Sequence, residues 1–358
     1  MKSKKCKVAL ITALAVVLSF FLIINPIASV IVYESIFSSR YETAEWTKFY
    51  LSDFPGLAAE LCEITTDDET ALAGYHYSRA EGKSAPQGLV VISHGLGGGG
   101  HNAYMPFIDF FAKNGYLVFA YDATGCDASG GEDVEGLPQG VKDLDTVLRY
   151  VGGCEAYRDL PVFLFGHSWG AYSAGCVLES HPDVKAAVLI SGFDRSRDMI
   201  LQQGKEIVGE VATVLSPSVL LYERCKFGAW AERSVTESIQ NSEASVLIVH
   251  SKDDMTVLPE NGYDRYYEVF RDVSRVSFQL YEDRGHSYLF YSDVAQEYRD
   301  KLNADYLAYV DSHGGVHSAE IKIEFMRDHL DKSACFEPDP DLMAQILSLY
   351  RSASSDGN

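Results

Sequence analysis

Positive charge is scarce in this chain. Its 358 residues include 30 Lys or Arg against 51 Asp or Glu, so the formal net charge is −21 and the pI is near 4.8. Nucleic acid is therefore excluded as a partner class, because like charge repels its phosphates. Cysteine is also sparse. The seven cysteines contain no CxxC pair and no metal-type spacing, so we expect free thiols rather than a disulfide framework or a metal site.

Acidic residues are missing from the first 33 positions. The run from Val8 to Tyr33 is uncharged and mostly apolar, and about 20 such residues cross a bilayer. Cleaved signal peptides have a shorter apolar run and small residues at the cleavage site, which Ile27-Ala28-Ser29 fits poorly. We therefore predict an uncleaved signal anchor at 1–33, with the acidic remainder outside the cytoplasm. Secretion after cleavage is the alternative, and a buried soluble helix is the third. The basic residues that would stay in the cytoplasm are Lys2, Lys4, Lys5 and Lys7.

Short apolar runs follow a segment, 34–59, that is interpreted as a membrane-proximal, mostly helical linker. The first two runs, ELCEITT (60–66) and LAGYHYS (72–78), predict an antiparallel pair of strands. Runs that are apolar on both faces favour a parallel sheet covered on both sides. The runs of this kind are GLVVIS (88–93), YLVFAYD (116–122), PVFLFG (161–166), AAVLIS (186–191), SVLIVH (245–250) and VSFQLY (276–281).

Helical spacing separates these runs, and the alternation predicts βαβ units in an α/β domain over 60–352, with a tail at 353–358. Two stretches interrupt the alternation. Residues 193–243 predict a small helical cap, and 290–336 are interpreted as an additional, irregular insertion. The predicted helices of the main domain are 103–114, 138–151, 169–181, 259–272 and a last amphipathic helix at 339–351.

The sharpest motif is Gly166-His167-Ser168-Trp169-Gly170, which directly follows a predicted strand and directly precedes a helical pattern. This is G-x-S-x-G in the strand-to-helix context that it requires. A tight turn there raises the serine oxygen, and bulky side chains at the two glycine positions would clash. The following helix N-terminus favours developing negative charge. We therefore predict Ser168 as a nucleophile.

A serine hydroxyl needs a base, and the base needs a carboxylate to orient it. His286 follows the last predicted strand in a loop above the sheet and is the best placed histidine. Asp254 is the preferred carboxylate, because it starts a D-x-x-V pattern after the preceding strand. Asp253 and Asp194 remain alternatives for that role, and either also fits a capping or turn aspartate.

Four consecutive glycines lie in His94-Gly95-Leu96-Gly97-Gly98-Gly99-Gly100, after the strand GLVVIS. Glycines are conformationally expensive and suit a backbone that approaches a ligand closely. We assign the amides of Leu96 and Trp169 as oxyanion donors, and we expect His94, Gly95 and Gly97 to contact substrate.

No cofactor or metal is predicted. The glycine loop lacks the Lys-Ser/Thr of a P-loop and the spacing of a dinucleotide fingerprint. His313 and His317 are four residues apart, but Gly314 and Gly315 between them argue against the helix that would bring them together.

These motifs resemble the α/β-hydrolase superfamily, close to its monoacylglycerol-lipase-like and serine-aminopeptidase-like branch. The resemblance covers about residues 60–290 and the last helix. It implies a mostly parallel eight-stranded sheet flanked by helices. Two positions depart from the pattern: Asp127 replaces a usual glycine in the D-x-x-G-x-G-x-S loop, and Ser251 replaces a glycine before the acid. The segments that carry the resemblance are HGLG (94–97), YDATGCDASGG (121–131), GHSWG (166–170), DMTV (254–257) and RGH (284–286).

The catalytic residues of this superfamily serve several kinds of reaction, so the resemblance alone does not define the substrate. We expect a membrane-anchored serine hydrolase that cleaves a small or lipid-like carboxylic ester. A peptidase or amidase acting on short peptides is the alternative, and an acidic cluster in the cap would favour it by binding a substrate ammonium. An acyltransferase and a non-catalytic binding module are weaker alternatives, and oligomeric state is not predicted. The acidic cap residues are Glu206, Glu210, Glu223, Glu232 and Glu237.

Overall fold

The apolar runs form one sheet of eight strands in a computed structural model, which describes residues 2–79 and 85–355. The spatial order of the strands is β1-β2-β4-β3-β5-β6-β7-β8. Strand β2 runs antiparallel to both its neighbours, and the other pairs are parallel. The predicted mostly parallel, eight-stranded sheet is confirmed. Strands β1 to β8 are Leu57–Thr65, Ala71–Arg79, Leu89–Ser93, Leu117–Tyr121, Val162–His167, Val184–Ile190, Ser245–Ser251 and Val276–Tyr281.

Helices cover both faces of the sheet. Along β3, Leu89 and Val91 join one apolar cluster while Val90 and Ile92 join the other, as the two-residue period of a strand requires. Both faces are therefore dry, which is why the runs carry no polar alternation. Helices α1 to α13 are Lys2–Ser19, Asn25–Phe37, Met105–Lys113, Leu137–Gly153, Trp169–Cys176, Ser196–Val208, Val211–Phe227, Val235–Gln240, Tyr263–Phe270, Asp293–Ser312, Ala319–His329, Lys332–Cys335 and Pro340–Ser355.

The predicted cap is narrower than 193–243. Helices α6 and α7 form it, whereas α8 packs into the main core, where Val235 and Ile239 are fully buried. A Cβ on Gly175 of α5 would lie only 2.5 Å from the Val235 side chain, so α8 and α5 are in close contact.

The stretch 290–336 is helical, and its interpretation as irregular was wrong. Helices α10 and α11 pack against each other through a small apolar cluster that includes Leu302, Tyr306 and Phe325. Gly314 and Gly315 lie in the turn between the two helices, both with positive φ. The cluster is narrow and the outer faces are polar, so the helical period is weak in the sequence.

Residues 38–56 are neither mostly helical nor a free linker. The helix ends at Phe37, and the chain then crosses the main domain. The Arg40 guanidinium donates to the carbonyls of Asp127 (3.0 Å) and Ser129 (2.9 Å). Thr43 donates its amide and its hydroxyl to the Asp127 carboxylate, each at 2.6 Å. These side-chain contacts replace the local helical bonds that the sequence pattern suggested.

One helical stretch, Lys7–Phe37, is long and apolar enough to cross a membrane. It comprises the end of α1, a wider helical turn at Phe20–Ile24, and α2. Little of its most apolar part is buried against the protein. The stretch is compatible with a membrane anchor or a signal sequence.

Candidate active site

Ser168 lies on the sharp turn between β5 and α5. Its backbone has φ +55°, in the region that side chains other than glycine rarely adopt. A Cβ at Gly166 would meet the Gly170 carbonyl oxygen at 2.5 Å, and one at Gly170 would meet the Ser93 carbonyl oxygen at 2.0 Å. The two glycines are therefore required by close backbone packing, and the strain is concentrated on the serine.

The three predicted triad residues come together at the carboxyl end of the sheet. His286 Nε2 lies 2.9 Å from Ser168 Oγ, and His286 Nδ1 lies 2.8 Å from Asp254 Oδ2. The other Asp254 oxygen accepts the backbone N–H groups of Thr256 and Val257, each at 2.9 Å. Because both oxygens are engaged, the carboxylate plane is fixed and the imidazole is held in one orientation.

Asp254 is fully buried, yet it is held ionised. Burial is the largest single influence on its pKa and raises it. The hydrogen bond and charge of His286, the Val257 N–H and the charge of His250 together outweigh burial, so the pKa of Asp254 lies below its ordinary value. A charged carboxylate behind the histidine stabilises an imidazolium.

The two alternative acids have other partners. Asp253 Oδ1 accepts from the Gly285 N–H (2.9 Å) and from the Ser251 hydroxyl (2.5 Å), so it connects the acid loop to the histidine loop. The Ser251 hydroxyl also accepts from the Arg284 N–H at 2.9 Å, which explains a serine where the family pattern has glycine. Asp194 accepts the Thr236 N–H at 2.7 Å, at the first turn of α8, and does not contact His286.

The glycine loop contributes backbone to the site, but not all its glycines face a ligand. Gly95, Leu96, Gly97 and Gly98 line the cavity that contains Ser168. A Cβ on Gly99 would lie 2.2 Å from the Thr43 nitrogen. Likewise, one on Gly100 would lie 1.9 Å from the Asp122 carboxylate. Half of this glycine run is therefore explained by packing within the protein.

His94 does not reach the cavity, so its predicted contact with substrate was wrong. The ring is buried, with Nε2 2.9 Å from the Ala123 nitrogen and Nδ1 2.9 Å from the Gly95 carbonyl oxygen. Nε2 therefore accepts and Nδ1 donates. His94 is a positioning residue, because it ties the start of the glycine loop to the end of β4.

Tyr104 and His167 were missed in the sequence. The Tyr104 hydroxyl accepts from the Gly95 N–H (2.9 Å) and donates to His167 Nδ1 (2.8 Å). The opposite nitrogen of His167 lies 3.2 Å from the His286 carbonyl oxygen. Burial, helped by the charge of His286, lowers the pKa of His167 to about 3, so the ring is neutral and can accept from Tyr104. This network joins the glycine loop to the backbone of His286, and only the fold brings its members together.

Leu96 and Trp169, the predicted oxyanion donors, both line the cavity. Trp169 is the first residue of α5, so its N–H belongs to the helix-end groups that have no partner within the helix. The Trp169 indole lies behind the site and donates to the Leu137 carbonyl at 2.7 Å.

Asp127, the second departure from the family pattern, adopts a positive φ of +34°. Aspartate tolerates this region better than most residues. Its carboxylate accepts from Thr43 and, at 3.1 Å, from the Gly100 N–H. The exchange of glycine for aspartate therefore attaches the segment after α2 to the glycine loop.

The cavity above Ser168 has a volume of about 1250 Å³. Its floor is formed by the ends of the strands, and its sides by α2, the cap helices α6 and α7, and the α10–α11 pair. His286, Tyr288 and Phe290 line it next to the serine. Such a volume exceeds the roughly 300–1000 Å³ of ordinary small-molecule sites.

Comparisons with known proteins agree with this fold. The serine aminopeptidase (S33) family model matches residues 84–229. An esterase of Pyrococcus furiosus superposes with a TM-score of 0.54 at 17% identity, over 77% of this chain and 98% of the esterase. An acetyl xylan esterase of Paenibacillus sp. R4 superposes with a TM-score of 0.53 at 14% identity, over 79% of this chain and 87% of the esterase.

Two curated relatives match shorter segments. A monoglyceride lipase homologue of monkeypox virus is 33% identical over 106 residues, which are 29% of this chain and 38% of the relative. An uncharacterized protein of Caenorhabditis elegans is 28% identical over 116 residues, 32% of this chain and 22% of the relative. Both matches span well under half of the relative's length.

The sheet order is that of the α/β-hydrolase fold, and the family match and the relatives support the α/β-hydrolase superfamily. The proteins that it resembles include two esterases, a monoglyceride lipase homologue and the serine aminopeptidase (S33) family.

Proposed function

We propose that this protein is a serine hydrolase that cleaves a carboxylic ester through an acyl-enzyme intermediate. The observation that carries the proposal is the continuous hydrogen-bonded series from Ser168 through His286 to Asp254, at the floor of a large cavity. A nucleophile, a base and an orienting acid in contact are the arrangement that activates a serine.

In this mechanism Ser168 Oγ attacks the ester carbonyl carbon while His286 Nε2 takes the hydroxyl proton. The carbonyl oxygen becomes an oxyanion, which the N–H groups of Leu96 and Trp169 stabilise. The C–O bond to the alcohol then breaks, and His286 returns the proton to the leaving oxygen. Water repeats the sequence on the acyl-enzyme, releasing the acid and restoring Ser168. Asp254 stays ionised and stabilises the imidazolium in both halves.

An ester is favoured over a peptide with a free amino end because the cap offers no acidic cluster to the cavity. Glu223 is buried against Tyr33 and Ser196, and Glu237 pairs with Arg195 at the surface. Among the described residues, the carboxylate that lines the cavity is Asp300, and the cations Arg299 and Lys322 line the same end. A substrate ammonium would therefore meet no net negative charge.

We further propose that the stretch Lys7–Phe37 anchors the enzyme in a membrane with the hydrolase domain outside the cytoplasm. The exposed apolar surface of α1 supports insertion, and the lysines at the start of the chain support this orientation. Cleavage of this stretch and secretion remain the alternative.

Labelling of the full-length protein with a fluorophosphonate probe tests the proposed chemistry. We expect an adduct on Ser168, and turnover of p-nitrophenyl esters that exceeds turnover of aminoacyl anilides. Ser168→Ala should abolish both labelling and turnover. Ser173→Ala, a buried serine on the same helix, is the matched control and should retain both. Full esterase activity in Ser168→Ala would refute the proposal. Faster turnover of the aminoacyl anilides than of the esters would indicate a peptidase instead of an esterase.

A further inference from the structure

The N-terminal helix α2 forms part of the cavity that contains Ser168. The lining residues of α2 recur every three to four positions, so they occupy one face of the helix. We call this face the helix wall. It consists of Asn25, Ala28, Ser29, Val32, Tyr33, Ile36 and Phe37.

The helix wall faces apolar side chains of the cap. These belong to α6 and α7 and include Met199, Ile200, Leu215 and Val219. The opposite end of the cavity is different in character, because Arg299, Asp300, Asn303 and Lys322 line it there. The cavity is thus apolar towards α2 and polar towards α10 and α11, with the serine in the same continuous space.

Polar contacts fix α2 alongside α7. The Asn25 amide donates to the Ser218 hydroxyl at 2.8 Å, and the Tyr33 hydroxyl donates to Glu223 at 3.0 Å. Further along, the Lys226 ammonium contacts Glu34 at 3.0 Å. The residue numbers rise together in these pairs, so the two helices run parallel.

This direction sets the depth of the cap relative to a membrane. The 31 residues of Lys7–Phe37 extend about 46 Å as a helix, whereas a bilayer core needs only about 20 residues. With the basic end at the cytoplasmic surface, the span that starts at Val8 leaves the hydrocarbon near Ile27. Asn25 and its partner Ser218 therefore lie close to the outer boundary of the bilayer core.

The start of α7 then lies within the outer leaflet. Val211 precedes Ser218 by seven residues, which is about 10 Å further towards the basic end. The helix ends on either side of the turn between α6 and α7 expose apolar side chains, as this position requires: Ile207 is 71% exposed, and Val211 and Val214 are each 56% exposed. We call these three residues and Val208 the cap corner. The charged residues Lys205 and Glu210 next to it form an ion pair with each other at 3.3 Å, which lowers the cost of placing them at this depth.

The cavity opens at this level. Ile207 and Val208 of the cap corner line the cavity and are also exposed, and so is Ala28 of the helix wall, which lies next to the outer boundary of the bilayer core. An opening bounded by a membrane helix on one side and an apolar corner on the other faces lipid rather than water.

We propose that the helix wall is the acyl-chain site, and that the substrate is a bilayer-resident ester with one long acyl chain. The chain enters between α2 and the cap corner and lies along the helix wall. The carbonyl then meets Ser168, and the polar remainder lies towards α10 and α11. This inference rests on the proposed serine esterase activity.

The role of the helix wall in acyl-chain binding can be tested with the full-length protein in lipid nanodiscs. The assay compares kcat/KM for a palmitate ester and a butyrate ester. Val32→Trp places a large ring on the helix wall and should lower the palmitate-to-butyrate ratio of kcat/KM at least tenfold. The matched control is Ile31→Trp on the outward face of the same helix, where the residue is 64% exposed and does not line the cavity. It should leave the ratio within twofold of wild type. Equal ratios in the two variants would overturn the inference.

A second readout uses the unaltered protein. A fluorophosphonate with a long alkyl chain and a photoreactive diazirine at its far end should label Ser168 and, on irradiation, cross-link to residues 25–37 or 199–219. Cross-links confined to α10 and α11 would overturn the assignment of the helix wall as the acyl-chain site, while the assignment of Ser168 as the nucleophile would stand. Absence of any label on Ser168, with no ester turnover, would instead refute the proposed function and this inference with it.

Discussion

The serine site and the α2 side of the cavity are held by different kinds of contact. At the serine, backbone contacts hold the site in place: the Ser168 N–H donates to the Ile190 carbonyl at 2.8 Å, and Gly170 packs directly on Ser93. At α2, side-chain hydrogen bonds hold the helix against α7, as in the pairs of Asn25 with Ser218 and Tyr33 with Glu223. Backbone contacts follow from the fold and tolerate few changes. Changes to the side-chain contacts at α2 would therefore alter the cavity wall while leaving the proposed chemistry in place.

The largest effect is expected from Asp254→Asn. The new side chain keeps an oxygen for the Thr256 and Val257 N–H groups, so the fold should persist. It presents an amide N–H to His286 Nδ1, which forces the proton onto Nε2 and removes the base from Ser168. We expect kcat to fall by about 10³ to 10⁴, measured on a soluble ester, with an unchanged melting temperature.

Asp253→Asn is the control for that change. Asp253 supports the Gly285 backbone but does not contact the imidazole, so kcat should fall by no more than about tenfold. If Asp253→Asn proved as damaging as Asp254→Asn, the assignment of the orienting acid would have to be reversed.

On the α2 side, Glu223→Gln should change the dependence of stability on pH. Burial raises the pKa of Glu223 from its ordinary 4.5 to about 7, against the opposing hydrogen bonds from Ser196 and Tyr33. The folded state therefore holds a proton that the unfolded state releases at lower pH. The stabilising contribution is complete below pH 4.5 and is lost as the pH rises through about 7.

Glutamine accepts the same two hydrogen bonds without a charge. Its free energy of unfolding should match that of wild type near pH 4.5 and exceed it by up to about 3 kcal/mol at pH 8. Denaturant unfolding of both proteins at the two pH values measures this difference. Glu232→Gln, at an exposed ion pair with Arg224, should give a curve parallel to wild type. A parallel curve for Glu223→Gln as well would show that this carboxyl does not titrate in the expected range.

Tyr104→Phe is expected to have the smallest effect. It removes the hydroxyl between the Gly95 N–H and His167, and so loosens the glycine loop relative to His286. We expect a fall in kcat of about tenfold with little change in KM, because a loss of this kind is worth roughly 1–1.5 kcal/mol.

Tyr350→Phe separates this effect from a general loss of stability. Tyr350 is also buried, and its hydroxyl donates to the Leu164 carbonyl at 2.8 Å, away from the site. It should lower the melting temperature by a similar amount and leave kcat unchanged. Equal kcat values in the two variants would remove Tyr104 from the positioning network.

The sheet and the order of its motifs could be predicted because they depend on local signals. Strands buried on both faces appear as continuous apolar runs, and the G-x-S-x-G turn leaves its glycines in the sequence. The α10–α11 pair could not be recognised, since its buried cluster rests on a few residues such as Tyr306 and Phe325 in a polar stretch. The helix wall could not be recognised from the sequence either. An apolar helix that meets lipid on one side and a cavity on the other has no polar face to mark the difference.

The attachment of Thr43 to Asp127 has a consequence for processing of the chain. A cut beside Ala28 would leave this attachment in place, so the hydrolase domain would keep its shape and its proposed nucleophile. It would also remove the first part of the helix wall and leave the cavity open along one flank. The full-length chain and the trimmed chain would then differ in substrate range. The full-length chain would take esters from the bilayer, and the trimmed chain would take esters dissolved in the surrounding water.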